Sequence, residues 1–174
     1  MTADYVHGYS ELENGRLQDQ AHTLADLLHH DTVYPPGAHV LEAGCGVGAQ
    51  TLLLARNSPQ AHFTAVDVSP ASVRTARAAV ERAGFGHVTF HVADLFRLPF
   101  AEASFDDVFV CFVLEHLRQP LEVLRALGRV LKPDGSLTVI EGDHGSTLFH
   151  PRSAAASIMP AASAASRTPS TIAM

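Results

Sequence analysis

The chain has 174 residues, of which 47% are hydrophobic and 17% are charged, a composition typical of a globular domain with its own core. The formal net charge of −6 argues against a surface for nucleic acid or anionic membrane, and no apolar run is long enough to span a bilayer. Because the N-terminus lacks a secretory pattern and only two cysteines occur, we expect a cytoplasmic protein. The eleven histidines show no zinc-ligand spacing, so we expect no metal site.

Residues 1–36 are predicted to form an N-terminal lid segment and a helix. Ser10 and Glu13 have the spacing of a capping box, and leucines follow at helical spacing as far as His30. The aromatic side chains before this helix are Tyr5, His7 and Tyr9. Proline and glycine at positions 35–37 mark the entry to the core.

A glycine-rich loop follows the first predicted strand. The strand covers Val40 to Ala43, the loop contains Gly44, Gly46 and Gly48, and a helix is predicted from Ala49 to Arg56, with Leu52, Leu53 and Leu54 on its buried side. A strand, a glycine-rich turn and a helix bring backbone N–H groups close to a ligand, because glycine lacks a Cβ.

Strands and helices then alternate along the chain. The predicted elements are a strand at His62–Asp67, a helix capped by Ser69 and ended by Gly84, strands at His87–Ala93 and Phe105–Cys111, a helix at Leu121–Leu131, a turn at 132–135 and a strand at Ser136–Glu141. This order predicts an α/β fold with a mostly parallel sheet between two layers of helices. The carboxyl ends of the strands then share one rim, which carries Glu42, Asp67, Asp94, Cys111 and Glu141.

The loop alone leaves two ligands open. Gly44, Gly46 and Ala49 satisfy the dinucleotide fingerprint, which favours a nicotinamide cofactor, whereas Glu42 and the third glycine at Gly48 form a different pattern. Asp67 can accept both hydrogen bonds of a ribose diol, or it can serve the start of the next helix. Asp94 can accept from an adenine amino group, or it can stabilise the turn after its strand.

Five segments in order resemble motifs of the class I S-adenosylmethionine-dependent methyltransferases. They are Val40–Gly48, Ala65–Ser69, Val92–Leu95 with Leu98–Phe100, Ser104–Leu117 and Arg129–Leu137. The resemblance implies a three-layer Rossmann-like sandwich, S-adenosylmethionine as cofactor and methyl transfer to a small-molecule acceptor. By position, it implies that the cofactor contacts Tyr9, Glu42, Gly44, Cys45, Gly46, Gly48, Asp67, Val68, Asp94, Leu95, Cys111 and Phe112.

No catalytic residue follows from the resemblance. If the acceptor must lose a proton, a general base is needed, and the candidates are Glu115, His116, Asp143 and His144. Cys45 and Cys111 are interpreted as small apolar fillers and not as nucleophiles.

The chain departs from the resemblance after strand five. The binding domain is predicted over residues 37–150, and residues 151–174 are rich in alanine and serine and are expected to be a disordered tail. The last two strands of the usual seven are missing from the pattern, which predicts a truncated fold, impaired activity and an open strand-five edge able to pair in a homodimer. The alternative functions are an NAD(P)-dependent oxidoreductase and a non-catalytic S-adenosylmethionine-binding protein.

Overall fold

The structure is a computed structural model that describes residue 29 and residues 31–142 of the chain. Five strands and three α-helices alternate along it: β1 (His39–Ala43), α1 (Ala49–Asn57), β2 (His62–Asp67), α2 (Pro70–Arg82), β3 (Val88–Val92), β4 (Phe105–Cys111), α3 (Pro120–Val130) and β5 (Leu131–Ile140). Two short 3₁₀ helices, Leu95–Arg97 and Leu114–His116, follow β3 and β4.

All five strands are parallel and lie in the order β3-β2-β1-β4-β5. In the centre of the sheet, Glu42 pairs with Ala65 on one side and with Phe109 on the other. Because the strands are parallel, their carboxyl ends meet at one rim. The predicted parallel sheet is therefore confirmed.

Helices cover both faces of the sheet. On one face, Leu54 of α1 packs with Val40 and Phe63, and α2 packs beside it on Ala65. On the other face, α3 packs on Leu41 and its neighbours through the fully buried side chains Val123, Leu127 and Val130. Burying one such side chain contributes about 1.5–3 kcal/mol, so the apolar sheet needs both layers.

Two details of the predicted elements are wrong. The buried side of α1 consists of Thr51, Leu54 and Ala55. Leu52 and Leu53 lie at the edges of this buried face and are only partly buried. Strand β5 begins five residues before the predicted strand, at Leu131.

The predicted turn at 132–135 lies inside β5 as a bulge. Leu131 pairs with Phe105 and Ser136 pairs with Asp107, so four residues on β5 face one on β4. A Cβ at Gly135 would lie 2.6 Å from the carbonyl oxygen of Asp106, so the bulge needs glycine there. Local turn residues had indicated a turn, and pairing with β4 incorporates them into the strand.

Several predictions fall outside the described residues. They concern Tyr5, His7 and Tyr9, most of the helix predicted at 10–30, Asp143, His144 and the tail at 151–174. Within the described part, the sheet ends at β5, and none of the helices there has the length and hydropathy to cross a membrane.

Candidate cofactor-binding site

The loop between β1 and α1 forms the centre of the rim. Its three glycines all have positive φ: 83° at Gly44, 51° at Gly46 and 88° at Gly48. These backbone conformations are strained for residues with a Cβ. The N–H groups of Gly44 and Cys45 both donate to the Val66 carbonyl at 2.9 Å, which holds the loop against the end of β2.

The three glycines have different surroundings. A Cβ at Gly44 would lie 2.5 Å from Val113 Cγ2, and a Cβ at Gly48 would lie 2.9 Å from the Cα of Ala76 in α2. At Gly46, nothing lies within 4 Å of the added atom. Gly44 and Gly48 are therefore required by packing within the protein, whereas Gly46 leaves open space that a ligand can enter.

Asp67, at the end of β2, is bonded to the loop. Its Oδ2 accepts from the N–H of Gly46 at 2.9 Å, and its Oδ1 accepts from the N–H of Ser69 at 2.8 Å. A carboxylate offers about four lone-pair positions, so Asp67 keeps acceptor capacity for the hydroxyls of a ribose. Burial raises the pKa of Asp67, and the backbone hydrogen bonds oppose that rise. The cap of α2 is Ser69, whose Oγ accepts from the N–H of Ser72, and not Asp67.

Glu42 lies beneath the loop and not on its surface. It is 2% exposed, and its Oε2 accepts from the Thr51 hydroxyl at 2.7 Å. Burial, with the nearby charge of Asp67, raises the pKa of Glu42 to about 7 against the opposing hydrogen bond from Thr51. Glu42 thus connects β1 to α1 from inside the protein, whereas the resemblance implies that it contacts the cofactor.

The ends of β2 and β3 form the next part of the rim. The N–H of Ala93 donates to the Asp67 carbonyl at 3.0 Å, which places the two strand ends side by side. Asp94 is exposed, and its Oδ1 accepts from the N–H of Phe96 at 3.0 Å, as a turn residue would. Val68 is 38% exposed beside Asp67, whereas the Leu95 side chain is buried, so only the backbone of Leu95 is available to a ligand.

Cys45 and Cys111 are buried at the rim and unpaired. Burial raises the pKa of both thiols, which disfavours the nucleophilic thiolate. Phe112 follows β4 with φ at 55°, an uncommon conformation for a residue other than glycine, and its N–H donates to the Ile140 carbonyl at 2.8 Å. This bond ties the end of β4 to the end of β5.

The Leu114–His116 3₁₀ helix carries two of the candidate bases. His116 Nε2 lies 3.4 Å from Glu115 Oε1. An imidazole next to a carboxylate has the form of a base with an orienting group, so the arrangement is compatible with proton removal. Asp143 and His144, the other two candidates, lie outside the described residues, as does Tyr9.

Sequence reasoning missed two residues of the rim. Thr51 bonds Glu42 from nine positions away, and its location on the first turns of α1, facing the strand, could have indicated this. Val113 packs on Gly44, and no sequence signal identifies that contact because 69 residues separate the two positions.

The rim fits S-adenosylmethionine in three respects. Gly46 leaves open space, Asp67 keeps acceptor capacity for a diol, and the exposed Val68 adds an apolar surface beside Asp67. Among the residues that the structure describes, no group of three or more His, Cys, Asp or Glu side chains is arranged to hold a metal ion.

Known proteins share this sequence pattern and architecture. Residues 41–139 match the family described as "Methyltransferase domain". The chain is 32% identical over 152 residues to the O-methyltransferase cnsE of Penicillium expansum, covering 83% of this chain and 54% of that protein. It is 31% identical over 134 residues to the 27-O-demethylrifamycin SV methyltransferase of Amycolatopsis mediterranei, covering 76% of this chain and 49% of that protein.

A solved structure supports the fold assignment. The crystal structure of a SAM-dependent methyltransferase from Aquifex aeolicus matches with a TM-score of 0.68 and 23% identity, covering 77% of this chain and 73% of that one. The chain spans about half the length of the curated relatives named above. Since the family match covers more than half of the sequence, the chain belongs to the S-adenosylmethionine-dependent methyltransferase family.

Proposed function

We propose that the protein binds S-adenosylmethionine at the rim and transfers its methyl group to a small-molecule acceptor. The observation that carries the proposal is the pairing of Gly46 and Asp67. Gly46 leaves space at the loop surface, and the carboxylate that accepts from Gly46 retains acceptor capacity beside that space.

The proposed cofactor contacts follow the rim. The loop, Gly44–Gly48, faces the methionine and ribose side, Asp67 accepts from the ribose hydroxyls, and Asp94 with the Leu95 backbone contacts adenine. Val68 supplies an apolar surface, and Cys111 and Phe112 flank the methyl group. Glu42 acts from beneath by holding the loop through Thr51. In this division of the chain, residues 37–150 form the binding domain and residues 1–36, with Tyr9, form the lid.

When bound, the cofactor supplies a methyl group attached to a sulfonium sulfur. The neutral thioether released on transfer is a good leaving group. The protein's residues then contribute mainly alignment and exclusion of water, and orientation effects can supply on the order of 7–11 kcal/mol. The names of the two relatives above both describe methylation at an oxygen atom, which favours a hydroxyl acceptor here. Removal of its proton by His116, oriented by Glu115, would contribute roughly 10²–10⁴ in rate.

Calorimetry with S-adenosylmethionine, S-adenosylhomocysteine and NADH tests the proposed cofactor. We expect both adenosyl sulfur compounds to bind and NADH not to bind. Binding of NADH alone would instead support the oxidoreductase. Transfer of labelled methyl groups to a panel of small hydroxyl compounds tests catalysis, and donor binding without any transfer would support the non-catalytic binding protein.

The proposal extends to the assembly and its location. β5 is the outermost strand on its side of the described sheet, and Val139 on it is 42% exposed, so we propose pairing of two chains at this edge. Sedimentation across a hundredfold concentration range should reveal the dimer, and a monomer throughout contradicts it. The two unpaired thiols support a cytoplasmic location, which cell fractionation can check.

A further inference from the structure

Glu141, the residue after β5, binds the segment that follows β4. Its Oε1 accepts from the N–H of Val113 at 3.0 Å and of Leu114 at 2.8 Å, and its Oε2 accepts from the N–H of Glu115 at 3.3 Å. Three consecutive backbone donors thus converge on one carboxylate that lies 26 to 28 residues away in the chain. Hydrogen bonds to an ionised acceptor are stronger than neutral ones.

The segment after β4 has no equivalent support of its own. The Leu114–His116 3₁₀ helix is a single short turn, and Val113 at its cap position has no side-chain acceptor for the free N–H groups. Phe112, immediately before it, has a φ of 55°, which is unfavourable for a residue with a Cβ. The carboxylate of Glu141 therefore supplies the missing cap and holds a strained stretch of backbone in place.

This support reaches the glycine loop through Val113. The side chain of Val113 packs so closely on Gly44 that a Cβ there would lie 2.5 Å from Val113 Cγ2. The same short helix also carries Glu115 and His116. The carboxylate of Glu141, just after β5, thus determines the positions of Val113 behind the loop and of a candidate base.

We propose that Glu141 is a positioning residue for methyl transfer. Its carboxylate holds the backbone of residues 112–116 in place against Gly44. The proposal rests on the proposed function for its kinetic consequence, but its structural part does not depend on it. Glu141 does not contact the reacting atoms and acts only through the backbone of this segment.

The test compares Glu141→Gln and Glu141→Ala in the full chain with Glu81→Gln, an exposed substitution on α2, as the matched control. Glutamine keeps the shape and one acceptor oxygen, so it should fold and lose only part of the cap, whereas alanine loses all of it. We expect amide hydrogen exchange at residues 113–115 to accelerate by about tenfold or more in Glu141→Ala, with a smaller acceleration in Glu141→Gln. The control should exchange like the unaltered protein.

Kinetics distinguish positioning from a general loss of stability. In Glu141→Gln, at a temperature where the variant is fully folded, we expect kcat to fall by about tenfold or more while the affinity for S-adenosylmethionine changes by less than about threefold. Unchanged exchange at residues 113–115 in Glu141→Ala overturns the cap. Accelerated exchange with unchanged kcat overturns the role in transfer. If the unaltered protein binds no donor, the proposed function fails, and the exchange experiment still decides the cap.

Discussion

The carboxylate Oδ2 of Asp67 accepts a hydrogen bond from the N–H of Gly46 at 2.9 Å, although 21 residues separate the two positions. The acid proposed to bind the ribose is therefore also the acid that shapes the glycine loop. Loop geometry and the proposed ligand binding both depend on the Asp67 side chain, so substitution of Asp67 should affect both.

We expect Asp67→Ala to weaken the fold as well as the cofactor site. The substitution leaves the N–H groups of Gly46 and Ser69 without their acceptor, and each unsatisfied buried donor costs about 1–3 kcal/mol. Chemical denaturation should show a loss on the order of 2–4 kcal/mol, and calorimetry should show donor binding at least about tenfold weaker. Asp134→Ala, at an exposed acid in the β5 bulge, serves as the control. Full donor affinity in Asp67→Ala would remove Asp67 from the site.

Alanine should mainly disturb packing at Gly48 and mainly weaken donor binding at Gly46. At Gly48 the new Cβ would lie 2.9 Å from the Cα of Ala76, so α1 and α2 must separate, and the melting temperature should fall further than in Gly46→Ala. At Gly46 the space is open, so stability should fall only by the roughly 1–2 kcal/mol of a left-handed residue, while donor affinity falls by at least about tenfold. Ala76→Gly should partly restore Gly48→Ala, because it removes one of the two close atoms. A Gly46→Ala protein with full donor affinity would show that the ligand does not enter there.

Glu42 should give the stability a specific pH dependence. Its pKa rises from 4.5 to about 7 on folding, so the folded state holds the proton more tightly than the unfolded state. The free energy of unfolding therefore loses a contribution as the pH rises from about 4.5 to 7, and the loss is complete above 7. A shift of this size corresponds to about 3 kcal/mol.

Urea unfolding of Glu42→Gln measures this contribution as a difference. Glutamine can still accept from the Thr51 hydroxyl but cannot ionise, so its stability relative to the unaltered protein should increase between pH 5 and pH 8 by up to about 3 kcal/mol. Glu102→Gln, at an exposed position, should show no such trend. A flat difference for Glu42→Gln would mean that Glu42 has an ordinary pKa in the folded protein.

The two thiols should be inert in the folded protein. Cys45 is 5% exposed and Cys111 is 8% exposed, and burial raises the pKa of both. A thiol reagent at pH 8 should therefore label both at least about 100-fold more slowly in the native protein than in urea. Cys111→Ala should retain donor binding, because alanine keeps a small apolar side chain beside the methyl group. Rapid native labelling of either thiol would contradict the prediction that both are inert.

Local patterns predicted most of the fold. The alternation of strands and helices, the cap at Ser69 and the residue range of β4 all follow from short-range periodicity and turn chemistry, and the structure confirms them. The prediction was wrong at β5, where the residues of a turn enter a strand because pairing with β4 outweighs the local preference. It was also wrong for α1, where helix position relative to the sheet decides which leucines are buried.

The sequence by itself determined which residues reach the rim, because parallel strands place Glu42, Asp67, Asp94, Cys111 and Glu141 at their carboxyl ends. Only the tertiary structure decided what each of them does there. Glu42 bonds to Thr51 inside the protein, Asp67 bonds to the loop, and Glu141 caps the segment after β4. The physical reason is that a carboxylate's role depends on which N–H or O–H donors lie within about 3 Å, and long-range packing brings those donors to it.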